Sequence, residues 1–388
     1  MLPKARLLHT MRNMAIPSNL PGPLLRCTLL HTTHNMAVRG NTASERGLLE
    51  RAIQALSQRL PPSWKVGDLS MLPSSSVDAQ VKLMSPDGRV GMLALEARTR
   101  LEPKDVPAIV DRAMSRTQPG TLMVISRYLS DSTRARLRDA DTGYLDLTGN
   151  IRLALSQPGL YVETQGATED PDREERHARS LKGSKAGRIA RALIDQKGPP
   201  GVRDLATLTG VDAGYVSRVL SFLESEALIT RAARGKIAAV DWPALLRRLG
   251  AEAPLDSRAR VRPYLDPRGI AAFVARLAQS SERYVISGSL AAASFAPVTP
   301  SRLAIVWFRD AEAAVGRLEL REVNAGANVL VLDASDDNAF QGARQRNNTW
   351  FAGPSQTALD LLSSPGRGPA EAEELIRWMQ ENEEAWRT

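Results

Sequence analysis

The run from Gly91 to Arg98, GMLALEAR, carries an apolar segment into a carboxylate, Glu96, with a cation, Arg98, two residues on. A second carboxylate, Asp78, precedes it in SVDAQVKL. Two carboxylates side by side on adjacent strands hold a magnesium ion through hard oxygen ligands, and a neighbouring cation orients the water that attacks a phosphodiester. That chemistry uses lysine at the third position. Arg98 keeps the charge, but it cannot accept a proton and its planar fork does not replace a compact ammonium. Three readings follow. The chain is a Mg-dependent DNA nuclease with Asp78 and Glu96 on the metal and Arg98 beside them, a fold of that kind with a disabled site, or an unrelated α/β domain. The disabled site is the expectation, and with it no enzyme activity, no catalytic residue, no metal and no cofactor.

Other chemistry is narrowed by elimination. The only cysteine, Cys27, and three of the four histidines, His9, His31 and His34, sit in the first forty-four residues, leaving His177 alone beyond them. Histidine-based triads, cysteine nucleophiles, structural zinc sites and disulfides are thereby excluded from the rest of the chain. Cys27, His31 and His34 have no fourth ligand at zinc spacing. The same stretch carries Lys4, Arg6, Arg12, Arg26 and Arg39, and the first carboxylate is Glu45. It is Arg-bearing and acid-free like a transit peptide, yet its prolines interrupt any long amphipathic helix. Residues 1–43 are expected to be a disordered basic extension, or to follow from a start codon placed too early with Met36 as the real one.

At 388 residues, 43% hydrophobic and 24% charged, the chain has room for two or three domains with separate cores. No window approaches a transmembrane span. A formal charge of +8 suggests a polyanionic partner. The lack of disulfides fits a reducing cytoplasm.

The charge concentrates in the middle of the chain. In SLKGSKAGRIARALIDQKG, Ala186, Ile189, Ala190 and Leu193 repeat at helical spacing. Leu205, Ala206 and Leu208 suit a second helix ending at Gly210, and Asp212 can cap a third whose Val216, Leu220 and Leu223 face inward. LITRA and KIAAV flank Arg234-Gly235 as a hairpin. Three helices and a hairpin make a winged helix-turn-helix. Residues 181–250 hold twelve lysines and arginines against six carboxylates. Tyr215 and Arg218 on the third helix are expected to reach the major groove and the hairpin cations Arg231, Arg234 and Lys236 to meet phosphate, with Lys185, Arg203 and Ser217 also expected to bind DNA. A winged helix used only for protein contacts is the bland alternative.

The flanking segments must position this element and the carboxylates. Residues 45–165 read as a helix capped by Ser44, the strands WKVGDLSML, SVDAQVKLM and VGMLALEAR, a helix through VPAIVDRAMSR, the buried strand TLMVIS, a short helix in STRARLRDADTG, and strands in YLDLTGN, IRLAL and LYVE. That is the order of a restriction-endonuclease-like core. From Arg262, Asp266 is expected to cap a helix opened by Pro267. RYVISGS, the small-residue helix LAAASFA and the strand SRLAIVWF then resemble a nucleotidyltransferase core lacking the carboxylates active enzymes carry on that strand. Gly288 and Ser289 are better read as a tight turn letting the helix pack on its strand. Leu375, Trp378 and Met379 form a stripe that reads as core.

The runs TLMVISRYLSDSTRARLRDADTGYLDLTGNIRLAL, SLKGSKAGRIARAL and GVDAGYVSRVLSFLESEALITR resemble bacterial winged-helix transcriptional regulators with an endonuclease-like N-terminal domain. PSQTALDLLSSPGRGPAEAEELIRWM is similar to AbiEi-type antitoxins of type IV toxin-antitoxin systems. The resemblance runs from about Ser44 to the end, and YLDLTGN and the third helix are its most specific parts. It implies DNA-binding regulation and is compatible with an antitoxin that represses its own operon. The expected fold class is multi-domain α/β: a basic extension (1–43), a restriction-endonuclease-like α/β domain (44–168), a linker (169–180), a winged helix-turn-helix (181–250), a linker (251–262) and a degenerate nucleotidyltransferase-like domain (263–388). Compatible partners are double-stranded DNA, a nucleotidyltransferase toxin and a second copy of the chain, with no membrane.

Overall fold

The alternating apolar residues of AQVKLM and the apolar run of VGMLALEAR build the first sheet. The structure, a computed structural model, describes residues 42–72, 75–115, 120–172, 180–232, 235–296 and 302–388. Most of the expected extension, with Cys27, His31 and His34, lies outside the described residues, as do His177 and Arg234. Helix α1 (Thr42–Ser57) leads to the short strands β1 (Lys65–Val66) and β2 (Ser70–Met71), then to the hairpin β3 (Ala79–Met84) and β4 (Val90–Arg98). Ser44 lies inside α1 rather than capping it, because the helix already begins at Thr42. Helix α2 (Val106–Met114) crosses to β5 (Thr121–Ser126), and α3 (Asp131–Asp139) crosses to β6 (Gly143–Asp146). Strands β7 (Ile151–Leu155) and β8 (Leu160–Thr164) close the sheet. Its order is β1-β3-β4-β5-β6-β7-β8, with β2 also on β3. Strands β4, β5 and β6 run parallel.

The two faces of this sheet decide where Glu96 sits. Leu48, Leu49, Ala52 and Leu56 of α1 cluster with Leu93, Leu95 and Ala97 of β4. On the other side, Ile109 of α2 and Leu137 of α3 cluster with Val124 and Tyr144. Side chains alternate along a strand, so Glu96, between Leu95 and Ala97, falls on the α2 side. YLDLTGN closes on itself: buried Asp146 accepts from the backbone N–H groups of Leu129, Thr148 and Asn150 and from the Thr148 hydroxyl and Asn150 amide. The motif is thus a turn clasp in which every carboxylate lone pair has work.

The basic middle forms α4 (Ser184–Asp195), α5 (Val202–Thr209), α6 (Ala213–Ser225) and a hairpin of β9 (Ile229–Arg231) and β10 (Ile237–Val240). Gly210 ends α5 at φ +62°, a left-handed conformation that glycine adopts without strain. Asp212 caps α6 through the Tyr215 N–H at 3.1 Å. Val216, Leu220 and Leu223 are fully buried. Helix α7 (Trp242–Glu252) follows.

The remaining elements are α8 (Leu255–Arg258), β11 (Val261–Leu265), α9 (Ile270–Leu277), β12 (Tyr284–Ser287), α10 (Gly288–Ala292), β13 (Ala304–Phe308), α11 (Ala311–Arg317), β14 (Arg321–Glu322), β15 (Val329–Asp333), β16 (Arg344–Arg346) and β17 (Thr349–Phe351). Their sheet has the order β14-β11-β15-β13-β12-β17-β16. Gly288, at φ +65°, could not be replaced without collision, since a Cβ there would lie 2.8 Å from the Ile305 Cδ1. Asp266 does not cap α9. Gly269 intervenes in a left-handed conformation, and buried Asp266 is instead ion-paired with Arg276.

The chain ends in α12 (Pro354–Leu362), α13 (Gly368–Glu381) and α14 (Glu383–Trp386). These helices complete the core under α4, α6 and α7: Leu359, Leu375, Ile376 and Met379 belong to one cluster with Leu193, Leu220 and Leu246. Trp242 meets Trp386 edge-on at 5.0 Å, and its indole N–H donates to Glu383 at 2.7 Å. Residues 251–262, expected as a linker, are packed instead. Leu255 is buried against the sheet, and Arg258 is ion-paired with fully buried Asp360 at 2.8 Å. Residues Ser44–Thr388 form one compact α/β unit, and among the described residues no helix is long and apolar enough to cross a membrane.

Candidate functional site

The structure brings Asp78, Glu96 and Arg98 together, but Arg98 bridges the two carboxylates. Its guanidinium is ion-paired with Glu96 and lies 3.6 Å from Asp78 Oδ2. Asp78 Oδ2 also accepts the Ala97 N–H at 2.7 Å. Arg112, on α2, is a second guanidinium on the same Glu96 oxygen. Glu96 is only 2% exposed, and a buried carboxylate needs such partners. Two guanidinium groups converge on Glu96 Oε1, so a divalent cation approaching this carboxylate would meet two positive charges already beside it. Among the described residues no three histidine, cysteine, aspartate or glutamate side chains converge as a metal site.

Sequence reasoning missed two members of this cluster, Arg112 and Glu45. Glu45, on the first turn of α1, is close enough to Asp78 that its carboxyl is held above the ordinary value, by burial first and by the Asp78 charge second, with Arg98 opposing. The period of Val106, Ile109 and Ala113 gives the buried side of α2, but no local signal tells that Arg112 crosses to Glu96.

A second candidate lies on α6. Ala213, Gly214, Ser217, Arg218 and Ser221 are exposed, and their spacing makes one stripe opposite Val216, Val219, Leu220 and Leu223. Four of these five are small or hydroxyl-bearing. A surface so low lets the helix backbone approach a groove closely, with Arg218 as the one long side chain. Tyr215 is half-buried, not fully exposed, and packs on the domain core. The Arg218 guanidinium lies over its ring, 5.5 Å from the centroid. At an exposed site such a contact contributes on the order of 0.5–1 kcal/mol, enough to bias the arginine's direction.

The cations around α6 divide into free and occupied. Lys185 on α4, Arg203 on α5 and Lys236 on the hairpin are exposed and have no ion-pair partner among the described residues. Arg231 is largely buried and paired with Glu224 at 3.4 Å, near the Ser221 hydroxyl. It fastens the hairpin to α6. Arg247 is bound to Glu373, and Arg248 to Glu226 and Glu252. The acids of the C-terminal end of α6 are therefore neutralised, and Glu226 also accepts from Ser132 of α3. This end of the helix is covered by the first α/β segment, while its N-terminal half stays open.

Compared with known proteins, the chain matches no family model, no curated protein and no solved structure.

Proposed function

We propose that this chain is a DNA-binding transcriptional regulator whose α6 enters the major groove through its N-terminal half. The observation that carries the reading is the open stripe Ala213, Gly214, Ser217 and Arg218, beside exposed Lys236 and Arg203. In helix-turn-helix docking, the N-terminal residues of the recognition helix read base edges while flanking cations meet phosphate. Arg218 is assigned to a base edge, Ser217 to close approach, and Tyr215 to the platform that aims Arg218. Lys185, Arg203, Lys236 and Arg234 are assigned to phosphate, with Arg231 holding the hairpin.

The first sheet is proposed to be a restriction-endonuclease-like platform without nuclease activity. The support is the double arginine pairing of Glu96. The C-terminal sheet is proposed to be a degenerate nucleotidyltransferase-like domain, its β13 carrying no carboxylate. The AbiEi-like resemblance of the C-terminal helices extends the reading to an antitoxin that represses its own operon, acting in the cytoplasm and paired with a nucleotidyltransferase toxin. Selection of sites from a random duplex pool by the full chain tests the proposal. Enrichment of one sequence supports it, and recovery of an unenriched pool counts against it.

A further inference from the structure

A cleft of about 480 Å³ lies between the winged helix and the C-terminal sheet, lined on one side by the first turn of α4 and on the other by Trp307, Ala339 and Leu359. We propose that it binds a small organic anion with an apolar body, in the size range of a nucleoside monophosphate. Three observations converge. Gly183 stands at the N-cap of helix α4 and has no side chain to cap it, so the first-turn amides are open to an acceptor and the helix dipole favours negative charge there. Arg191 lines the cleft at 4% exposure, and its Nε has no hydrogen-bond partner although the same guanidinium bonds Gln356 and Asp195. Arg188 and Lys182 line the same wall with no acidic partner among the described residues, and the buried Arg188 Nε is likewise unsatisfied.

Unpaired buried donors are rare in folded proteins, and these two, closed to solvent as they stand, would meet a ligand oxygen once the guanidinium groups turn toward the cleft. The two carboxylates at the cleft are already committed. Glu252 accepts from Arg248 and from the Leu181 N–H, and Asp336 accepts from Asn338. Neutral amide donors leave the Asp336 charge in place, so an incoming anion is drawn to the wall of Lys182 and Arg188 and away from Asp336. The apolar part of such a ligand has Leu249, Leu359, Ala253 and Pro254 to cover it, the mix of apolar walls and few convergent polar groups that marks ligand sites.

The position gives the site a consequence. Helix α4 packs in the core that orients α6, whereas Arg258 and Trp307 belong to the Asp360 hub of the other wall. A ligand bridging them would bias how the winged helix sits, and through it DNA affinity. This coupling rests on the proposed DNA-binding function; the binding itself does not.

The test uses the full chain without DNA, titrated with 1-anilinonaphthalene-8-sulfonate, an anion on an aromatic body, and read by fluorescence. Arg188→Gln removes a cation. Gly187→Met fills the cleft from a helical position where a Cβ would meet only Leu249 Cδ1, at 4.0 Å. Wild-type binding should saturate, and both variants, with unchanged circular dichroism, should bind at least tenfold more weakly. Competition by adenosine 5′-monophosphate assigns the anion to the phosphates, and competition by indole-3-acetate to the carboxylates. Either supports the site. Non-saturating binding, equal binding by both folded variants, or displacement by neither competitor overturns it. Because no DNA is present, failure here leaves the DNA-binding proposal standing, and the reverse also holds.

Discussion

Arg112, on α2, is ion-paired with the oxygen of Glu96 that Arg98 also holds, so one buried carboxylate on β4 serves two guanidinium groups. The protein with magnesium or manganese should accordingly leave supercoiled plasmid and single-stranded DNA uncut. Arg98→Lys alone should not start cleavage, because Arg112 still occupies Glu96. Cleavage by the wild type that is lost in Asp78→Ala and Glu96→Ala would contradict this.

The same pairing predicts a structural cost. Arg112→Ala should lower unfolding free energy by about 1.5–3 kcal/mol, the range for a hydrogen bond to a charged group. The effect should fall below the ~3–5 kcal/mol of a wholly buried pair, because water reaches Arg112. A urea midpoint unchanged from wild type would show that Arg98 alone suffices.

Gly250, on α7, faces Leu362 of α12 so closely that a Cβ would lie 2.9 Å from Cδ1 and 3.0 Å from Cβ. Alanine should gain up to about 1 kcal/mol of helix propensity but cost about 1–3 kcal/mol in overpacking, so Gly250→Ala should be destabilising on balance. It should shift one unfolding transition rather than one of two, since the segment from α4 to α7 and the C-terminal helices share a core. A separate transition for the winged helix would refute the shared core.

That shared core is also where the sequence was least legible. The strands TLMVIS, IRLAL and VGMLALEAR, the Gly210 stop, the Asp212 cap and the buried stripe of α6 could all be read from period and turn chemistry. These are local signals. AEAPLDSRARVRP looked like a linker because proline and charge usually mark one, whereas Arg258 is there to meet Asp360, about a hundred residues on. The stripe of Leu375, Trp378 and Met379 announces a buried face, but not that α4, α6 and α7 share its core. Asp78, Glu96 and Arg98 were legible as a cluster, while Arg112 and Glu45 arrive from helices whose crossing no local pattern encodes.

Acid should loosen the junction between α7 and the C-terminal helices. The Glu373 carboxyl is held below its ordinary value by hydrogen bonds from Arg247. That of Glu383 is also lowered: burial raises it, but bonds from Trp242 and Arg387 outweigh the burial. A depressed folded value contributes stability that is present above the unfolded value, about 4.3 for glutamate, and is lost as pH falls through the folded one. Urea midpoints should therefore drop as pH is taken from about 5.5 to below 4, and the Glu373→Gln, Glu383→Gln double variant should drop less. An equal drop in both proteins would assign the acid sensitivity elsewhere.

The hairpin cations should not be equivalent. Lys236 is exposed, so Lys236→Ala should weaken binding to all DNA alike and make the slope of log K against log salt shallower by about 0.9. Arg231 is already held by Glu224, so Arg231→Ala should change that slope less. Equal slope changes would mean that DNA breaks the Arg231–Glu224 pair.

The most direct measurement is DNA binding by Arg218→Ala, on a selected site and on scrambled duplex, at several salt concentrations. Arg218 is the one long side chain on the open stripe of α6, aimed by the Tyr215 ring. Its loss should cost on the order of 1–3 kcal/mol on the selected site and much less on scrambled DNA, so that sequence preference relaxes. Binding indistinguishable from wild type on both duplexes would contradict the groove assignment and leave the winged helix as a surface for protein contacts.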